Sequence, residues 1–330
     1  MKQDLYHQLN PYVRLKETEI LAPNFYEQLI ASDLPKIKEL LMGTVYGKYI
    51  TEDFPNNFDA VLNQELLASY SELVERAPKP EVVFIFTMRF TLHNLKVLTK
   101  AYYIGENYDH LYLPDGFYDL DELKHAIETG KSAVLPPSIL KSIHEVKAYL
   151  AESAILQGID VIYDRRFLKE QRRLGEEIGY PELLKEIVVF IDLTNIITAL
   201  RCLLQKRTQA FLTAVLSSSG SIPKETYLDF AQKDVSSLRD YLLTTEYGDL
   251  LSPALRGDEI DFSQLDKIKD NRLTELFASA QTEAFGPLPL LAYLNAKEVE
   301  TKNLRLIITG KKSGFTNEQI KERMRMTYDI

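Results

Sequence analysis

Residues 84–102 read Phe84-Ile85-Phe86-Thr87-Met88-Arg89-Phe90-Thr91-Leu92-His93-Asn94-Leu95-Lys96-Val97-Leu98-Thr99-Lys100-Ala101-Tyr102. Phe84, Met88, Leu92, Leu95, Leu98 and Tyr102 advance in steps of four, four, three, three and four, an average of 3.6 that makes one buried stripe on an α-helix. The core of the stretch, Phe90-Thr91-Leu92-His93-Asn94-Leu95-Lys96, returns as Ile191-Asp192-Leu193-Thr194-Asn195-Ile196-Ile197 and again as Val299-Glu300-Thr301-Lys302-Asn303-Leu304-Arg305. Each copy sets an Asn four residues after a bulky apolar side chain and one before Leu or Ile. The spacings, 101 and 108 positions, leave room for several helices per copy.

Shifting the stripe by 101 gives Lys185, Val189, Leu193, Ile196, Ala199 and Leu203, so the second copy keeps it after the first position. In the third copy Tyr293, Leu304 and Ile307 hold, while Lys297, Thr301 and Lys311 do not, and its helix is expected to be more exposed or docked on something else. An amphipathic segment precedes each Asn helix: 63–76, 164–177 and 265–280. Prolines break each one, at Pro78 and Pro80, at Pro181, and at Pro287 and Pro289. After each Asn helix comes a glycine and then helix-start chemistry: Asp115-Gly116 before Asp119, Ser219-Gly220 before Pro223, and Ser313-Gly314 before Thr316. The repeated unit is helix, turn, helix. Chance likeness among helices competes for any one pair, and three copies in the same order weaken it. No alternating run demands a sheet, so the expected fold is all-α, with repeats over 1–128, 129–232 and 233–330.

Composition sets outer limits. A chain of 330 residues can bury a substantial core, and 45% hydrophobic with 26% charged residues is ordinary for a soluble protein. A formal net charge of −9 argues against general binding to nucleic acid or an anionic membrane, both of which need a basic face. The single Cys202 rules out an internal disulfide. Met1-Lys2-Gln3-Asp4-Leu5 contains no apolar signal core, and the strongest apolar runs, 82–88 and 187–191, are far shorter than a span. A cytosolic protein, or one peripheral on the cytosolic side, is the expectation.

Catalytic chemistry is hard to find. His7, His93, His110, His125 and His144 form neither an HExxH nor a Cys/His zinc spacing. Gly310-Lys311-Lys312-Ser313-Gly314 resembles a phosphate loop only at its end: Arg305 stands where the earlier glycine belongs, and a helix precedes it in place of a strand. Ser217-Ser218-Ser219-Gly220 lacks the flanking glycines of a nucleophile elbow. Asp119 with Asp121, and Glu298 with Glu300, look like helix beginnings and solvated faces. Arg165, Arg166, Lys169, Arg172 and Arg173 share a segment with Asp160, Asp164, Glu170, Glu176 and Glu177. That pattern is either a salt-bridged solvated helix or a basic wall facing an acidic partner. Lys321, Arg323 and Arg325 allow the same two readings, and the 19 tyrosines suit a helical core as well as an interface. No catalytic, cofactor-binding or metal-ligating residue is assigned.

The run Arg89-Phe90-Thr91-Leu92-His93-Asn94-Leu95-Lys96-Val97-Leu98, the later Leu111-Tyr112-Leu113-Pro114-Asp115-Gly116, and residues 297–308, Lys297 to Ile308, resemble the C subunit of bacterial and archaeal V-type (A-type) ATPases and ATP synthases, whose eukaryotic counterpart is the d subunit of the V-ATPase. Tyr12-Val13-Arg14, Glu19-Ile20-Leu21 and Thr44-Val45-Tyr46-Gly47 fit as well, so the resemblance runs from near residue 10 to the carboxyl end. Order and spacing carry it, since no single motif has the specificity of a metal signature. Ile196-Ile197 departs from Leu95-Lys96 and Leu304-Arg305, removing a charge from the second copy.

The resemblance implies a non-catalytic rotor part without a cofactor: three helical bundles about a pseudo-threefold axis, forming a funnel on the cytosolic face of the membrane rotor ring. Its implied partners are central-stalk subunits and that ring, with one copy per complex, no nucleic acid and no membrane span of its own. ATP-driven ion transport or ATP synthesis would be the work of the whole complex. Asn94, Asn195 and Asn303 are read as amides that hydrogen-bond a turn of their own or a neighbouring repeat, or else as direct contacts to stalk or ring. Arg89, Lys96, Lys302 and Arg305 are the charges to examine for stalk or ring contact. A free-standing helical-repeat scaffold for a soluble partner is the rival from another class.

Overall fold

The computed structural model describes residues 3–113, 117–153, 155–256 and 259–328, so Met1, Lys2, and the Pro114-Asp115-Gly116 portion of the first glycine turn, lie outside the described residues. Among the described residues every regular element is a helix, and the fold is all-α. Two compact units divide the chain. One joins Met1–Val83 to Asp249–Ile330, and the other is the continuous stretch Phe84–Gly248.

The discontinuous unit contains α1 (Leu9–Glu17), α2 (Pro23–Ala31), α3 (Leu34–Met42) and α4 (Phe54–Arg76) from the first segment. The continuous unit is built from α5 (Pro80–Ile104), whose first turn precedes Phe84, then α6 (Leu120–Thr129), α7 (Pro137–Glu152), α8 (Gln157–Ile178) and α9 (Pro181–Leu204). It continues through α10 (Gln209–Val215), α11 (Lys224–Leu228) and α12 (Val235–Leu242), and α13 (Gly248–Leu255) begins at its last residue. The second segment of the discontinuous unit adds α14 (Phe262–Leu276), α15 (Leu288–Lys312) and α16 (Asn317–Arg323).

The three Asn helices are α5, α9 and α15. Each begins at a proline: Pro80 and Pro181 open α5 and α9, and Pro289 occupies the first turn of α15. A first-turn proline loses no intrahelical hydrogen bond, and its fixed φ suits helix entry. Asp119, Pro223 and Thr316 stand at the N-cap positions of α6, α11 and α16. Only Thr316 caps with its side chain: it accepts from Gln319 N while Gln319 reaches back to the Thr316 amide.

Of the two expectations for the third stripe, the more exposed helix is corrected: α15 is docked on its neighbours. Eighteen residues of α15 are buried, including Lys297 and Thr301, because α1, α4 and α14 all pack on it. A stripe search treats Lys as a surface residue, yet the Lys297 ammonium sits 3.0 Å from Glu300 Oε1 and 3.4 Å from Glu65 Oε1. Glu300, expected on a solvated face, is buried in the same cluster. Lys311 is half-buried and donates to the Ile30 carbonyl and to Asn317 Oδ1. The expectation of short apolar runs is likewise revised. α5 and α9 are long and apolar enough, by length and composition, to cross a membrane, with mean hydropathy 1.2 and 2.0 over 18 residues. Counting unbroken runs missed this, because isolated polar residues such as Asp192 and Asn195 interrupt them. In each window 61% is buried inside the fold, as in a core helix.

Candidate functional site

The three asparagines make the same contact. Asn94 Nδ2 donates to the Leu113 carbonyl at 2.7 Å, and its Oδ1 accepts from the Leu113 amide at 2.8 Å. Asn195 holds Ser217 with 2.8 and 3.0 Å bonds, and Asn303 holds Arg325 with 3.1 and 2.9 Å bonds. All three side chains are buried, at 0%, 2% and 0% exposure. A primary amide offers a donor and an acceptor in one plane, so it can satisfy both peptide groups of one residue where the chain runs alongside the helix without secondary structure. Each Asn helix thus fixes a segment 19 or 22 residues downstream.

One turn before the Asn, α9 and α15 carry a buried carboxylate. Asp192 accepts from Ser221 N and Oγ, from Ile222 N, and from the Tyr247 hydroxyl at 2.8 Å. Glu300 accepts from Leu21 N, the Tyr46 hydroxyl (2.6 Å) and Lys297. In α5 the corresponding position is Thr91, also buried. The two tyrosines occupy matching turns, Thr44-Val45-Tyr46-Gly47 and Thr245-Glu246-Tyr247-Gly248. In each, the Thr hydroxyl donates to a carbonyl three residues back at 2.7 Å and accepts the Tyr amide at 3.3 Å. A Cβ on Gly47 or Gly248 would stand 2.2 Å from the carbonyl oxygen five residues back, Met42 or Leu243, which is why the motif ends in glycine. Burial, then the adjacent carboxylate, pushes both tyrosine hydroxyls well above their usual pKa, so both remain donors. This second echo, 201 positions apart, was visible in the sequence but lies outside the Asn period.

The charges singled out for partner contact are engaged within their own unit. Lys96 pairs with Asp164, and Lys302 with Asp270 at 2.7 Å. Arg305 pairs with Asp59 at 2.6 Å and donates to Asn63. Arg89 lies with its guanidinium 4.8 Å from the Phe90 ring centroid. Lys100 joins Asp160 beside the Lys96 pair, so α5 and α8 are tied by two ion pairs one turn apart. Asp270 also accepts from Arg325. Burial pushes its carboxyl up, but Lys302, Lys269 and Arg325 outweigh that and hold it below the usual carboxylate range.

The basic stretch of α8 divides in two. Arg172 pairs with Glu176, and Arg173 with Glu170 and Glu177, as expected for a salt-bridged helix, while Arg165 and Arg166 both reach Glu145 on α7. His93 Nε2 meets the Leu111 carbonyl. Among the described residues no group of three His, Cys, Asp or Glu side chains is placed to hold a metal ion. The buried carboxylates described above accept hydrogen bonds from neighbouring side chains and peptide amides, a network suited to fixing chain segments in place.

Residues 9–323 match the ATP synthase (C/AC39) subunit family, and the chain belongs to that family. It is 54% identical over 326 residues to the C subunit of the V-type sodium ATPase of Enterococcus hirae, covering 98% of this chain and 99% of that one. More distant relatives include the C subunit of the A-type ATP synthase of Methanocaldococcus jannaschii, 24% identical over 96% of this chain and 85% of the other. The C subunit of the V-type ATP synthase of Thermus thermophilus is 24% identical over 96% and 97%. Membership in a family defined by one component of a rotary complex makes the chain an accessory subunit of a membrane-associated ATPase, not an enzyme in its own right.

Proposed function

We propose that this chain is the non-catalytic central-stalk subunit that connects the stalk to the membrane rotor ring of a V-type or A-type rotary ATPase, serving ATP-driven ion transport or ATP synthesis. The observation that carries this proposal is the end-to-end 54% identity to the C subunit of a V-type sodium ATPase. The recurring Asn contacts support a division into three similar repeats, 1–128, 129–232 and 233–330; their arrangement about a pseudo-threefold axis as a funnel is part of the proposal and rests on the family resemblance. We place the protein on the cytosolic face, one copy per complex, held by stalk and ring subunits. A torque-bearing connector needs stiffness more than chemistry, and buried amides that tie helices to distant loops supply it. Arg89, Lys96, Lys302 and Arg305 remain the proposed stalk or ring contacts; for Lys96, Lys302 and Arg305 such a contact would require exchanging an existing ion pair.

The test is purification of the tagged native chain from solubilised membranes, followed by identification and counting of what accompanies it. Ring and stalk subunits at one copy of this chain per complex are the expected result. A chain recovered alone, or with soluble partners only, overturns the proposal in favour of a free-standing scaffold.

A further inference from the structure

The continuous unit contains a cleft of about 930 Å³ between α5 on one side and α7 and α8 on the other. At one end α5 and α8 are tied by Lys96–Asp164, Lys100–Asp160 and a 2.9 Å hydrogen bond between Thr99 and Tyr163. Near the start of α5 a 3.4 Å hydrogen bond from Gln171 Nε2 to the Ile85 carbonyl joins the two helices again. The α5 wall of the cleft runs from Phe84 to Leu95, roughly 16 Å or three helical turns at 1.5 Å per residue. Phe84, Met88, Leu92, Phe117, Ile139 and Phe167 line it, and all six are only partly buried. The Phe84 and Phe117 rings meet edge to face at 4.7 Å. Three hydroxyls along the trough are already engaged: Thr87 bonds the Phe84 carbonyl, Ser142 the Ser138 carbonyl, and Tyr163 Thr99. The trough therefore asks for apolar surface.

The rim asks for negative charge. Lys141, Arg166, Lys169, Arg172 and Arg173 line it against Glu170 and Glu176, a local excess of three positive charges on a chain of formal charge −9. Arg166, Arg172 and Arg173 already have carboxylate partners. Lys141 and Lys169 are exposed and have none among the described residues. On α8 the cations recur at 166, 169 and 172–173, one per turn along the trough. A single anionic head group would need them gathered at one end. A stripe of cations beside an apolar trough three turns long complements a helix with adjoining apolar and acidic stripes.

We infer that this cleft is a docking site for one amphipathic helix of a partner protein, its apolar face on Phe84, Met88, Leu92 and Phe167 and its acidic flank on Lys141 and Lys169. The site rests on the cleft alone. For the source of the helix, another member of the same complex, the inference rests on the function proposed above.

The experiment titrates the intact chain against a fluorescein-labelled synthetic helix of 14 residues, with Leu at i, i+3, i+4 and i+7 and Glu along one flank, read by anisotropy. Saturable binding is expected, weakened at least tenfold in the Lys141→Glu/Lys169→Glu chain and weakened by raising salt. The unfolding midpoint should be unchanged, since both lysines are exposed. Equal binding by wild type and variant, equal binding of a scrambled peptide of the same composition, or oleate displacing the peptide at lower concentration with the same charge dependence each overturns the helix site. The same variant is then purified from membranes. Peptide binding lost while stalk and ring subunits still copurify in full overturns the assigned source and leaves the site standing. Wild type recovered without those subunits counts against the function proposed above, separately from the cleft.

Discussion

Asn195 grips Ser217 by both of its peptide groups, and Ser217 is buried while Leu113 and Arg325, the residues held by Asn94 and Asn303, are partly exposed. Water can replace the lost partner at Leu113 and Arg325 more readily than at Ser217. Asn195→Leu should therefore destabilise most, by roughly 2–4 kcal/mol for two buried peptide groups left unpaired, and Asn94→Leu and Asn303→Leu by less. Urea midpoints of the three variants check this. Equal or negligible shifts would mean that the contacts do not hold the fold.

Gly220 presses against the Asp192 carboxylate. A Cβ there would lie 2.2 Å from Oδ1, and the Asp side chain is fixed by Ser221, Ile222 and Tyr247. Gly220→Ala should cost about 1–3 kcal/mol by displacing that buried acceptor from its donors. In a double-mutant cycle with Asp192→Ala the penalty of the alanine should largely vanish. Additive effects would place the strain elsewhere.

Lys297 is nearly fully buried between Glu65 and Glu300, and Lys48 approaches Glu65 from the exposed side at 3.0 Å. Burial alone would lower the Lys297 pKa, yet the two carboxylates raise it above its ordinary value, so the side chain stays charged. Lys297→Met leaves two buried carboxylates short of a cation and should cost about 3–5 kcal/mol. Replacing the cluster together, with Glu65→Gln and Glu300→Gln added, should recover much of that loss. Differential scanning calorimetry of the single and triple variants distinguishes the two outcomes.

Asp270 predicts an acid response. Its folded-state pKa lies below the unfolded value of about 3.9, so its pairs with Lys302 and Arg325 stabilise the fold above that pH. The stabilisation is lost as pH falls through the lower, folded-state pKa. Between pH 6 and 3 the urea midpoint of wild type should fall more steeply than that of Asp270→Asn. Parallel curves would show that the carboxylate is not selectively stabilised.

The all-helical class was legible because α5 and α9 carry a 3.6-residue stripe and because prolines mark where α5, α9 and α15 begin. α15 was misjudged for a physical reason: a helix packed on several sides has no solvent face, so its buried Lys297 and Glu300 resemble surface residues until their partners are known. Those partners, Glu65 and Tyr46, lie more than two hundred residues away and no local period can supply them. The partners of the Asn side chains were equally hidden, because Leu113, Ser217 and Arg325 contribute only backbone atoms. Arg165 and Arg166 turned to Glu145 on another helix instead of to acids on their own. The Tyr46 and Tyr247 turns could have been found as a second echo, since both read Thr-x-Tyr-Gly.

Because one compact unit is assembled from Met1–Val83 and Asp249–Ile330 while Phe84–Gly248 is continuous, synthesis imposes an order. During translation the middle of the chain can condense as soon as it leaves the ribosome. The first segment must wait for α15, which brings the carboxylate for Tyr46 and the ammonium for Glu65. Until then α4 keeps the carboxylate of Glu65 without the Lys297 ammonium that answers it in the finished fold. A nascent chain arrested before residue 288 would thus display an unfinished apolar surface to chaperones and proteases, and only full-length chains would escape that surveillance.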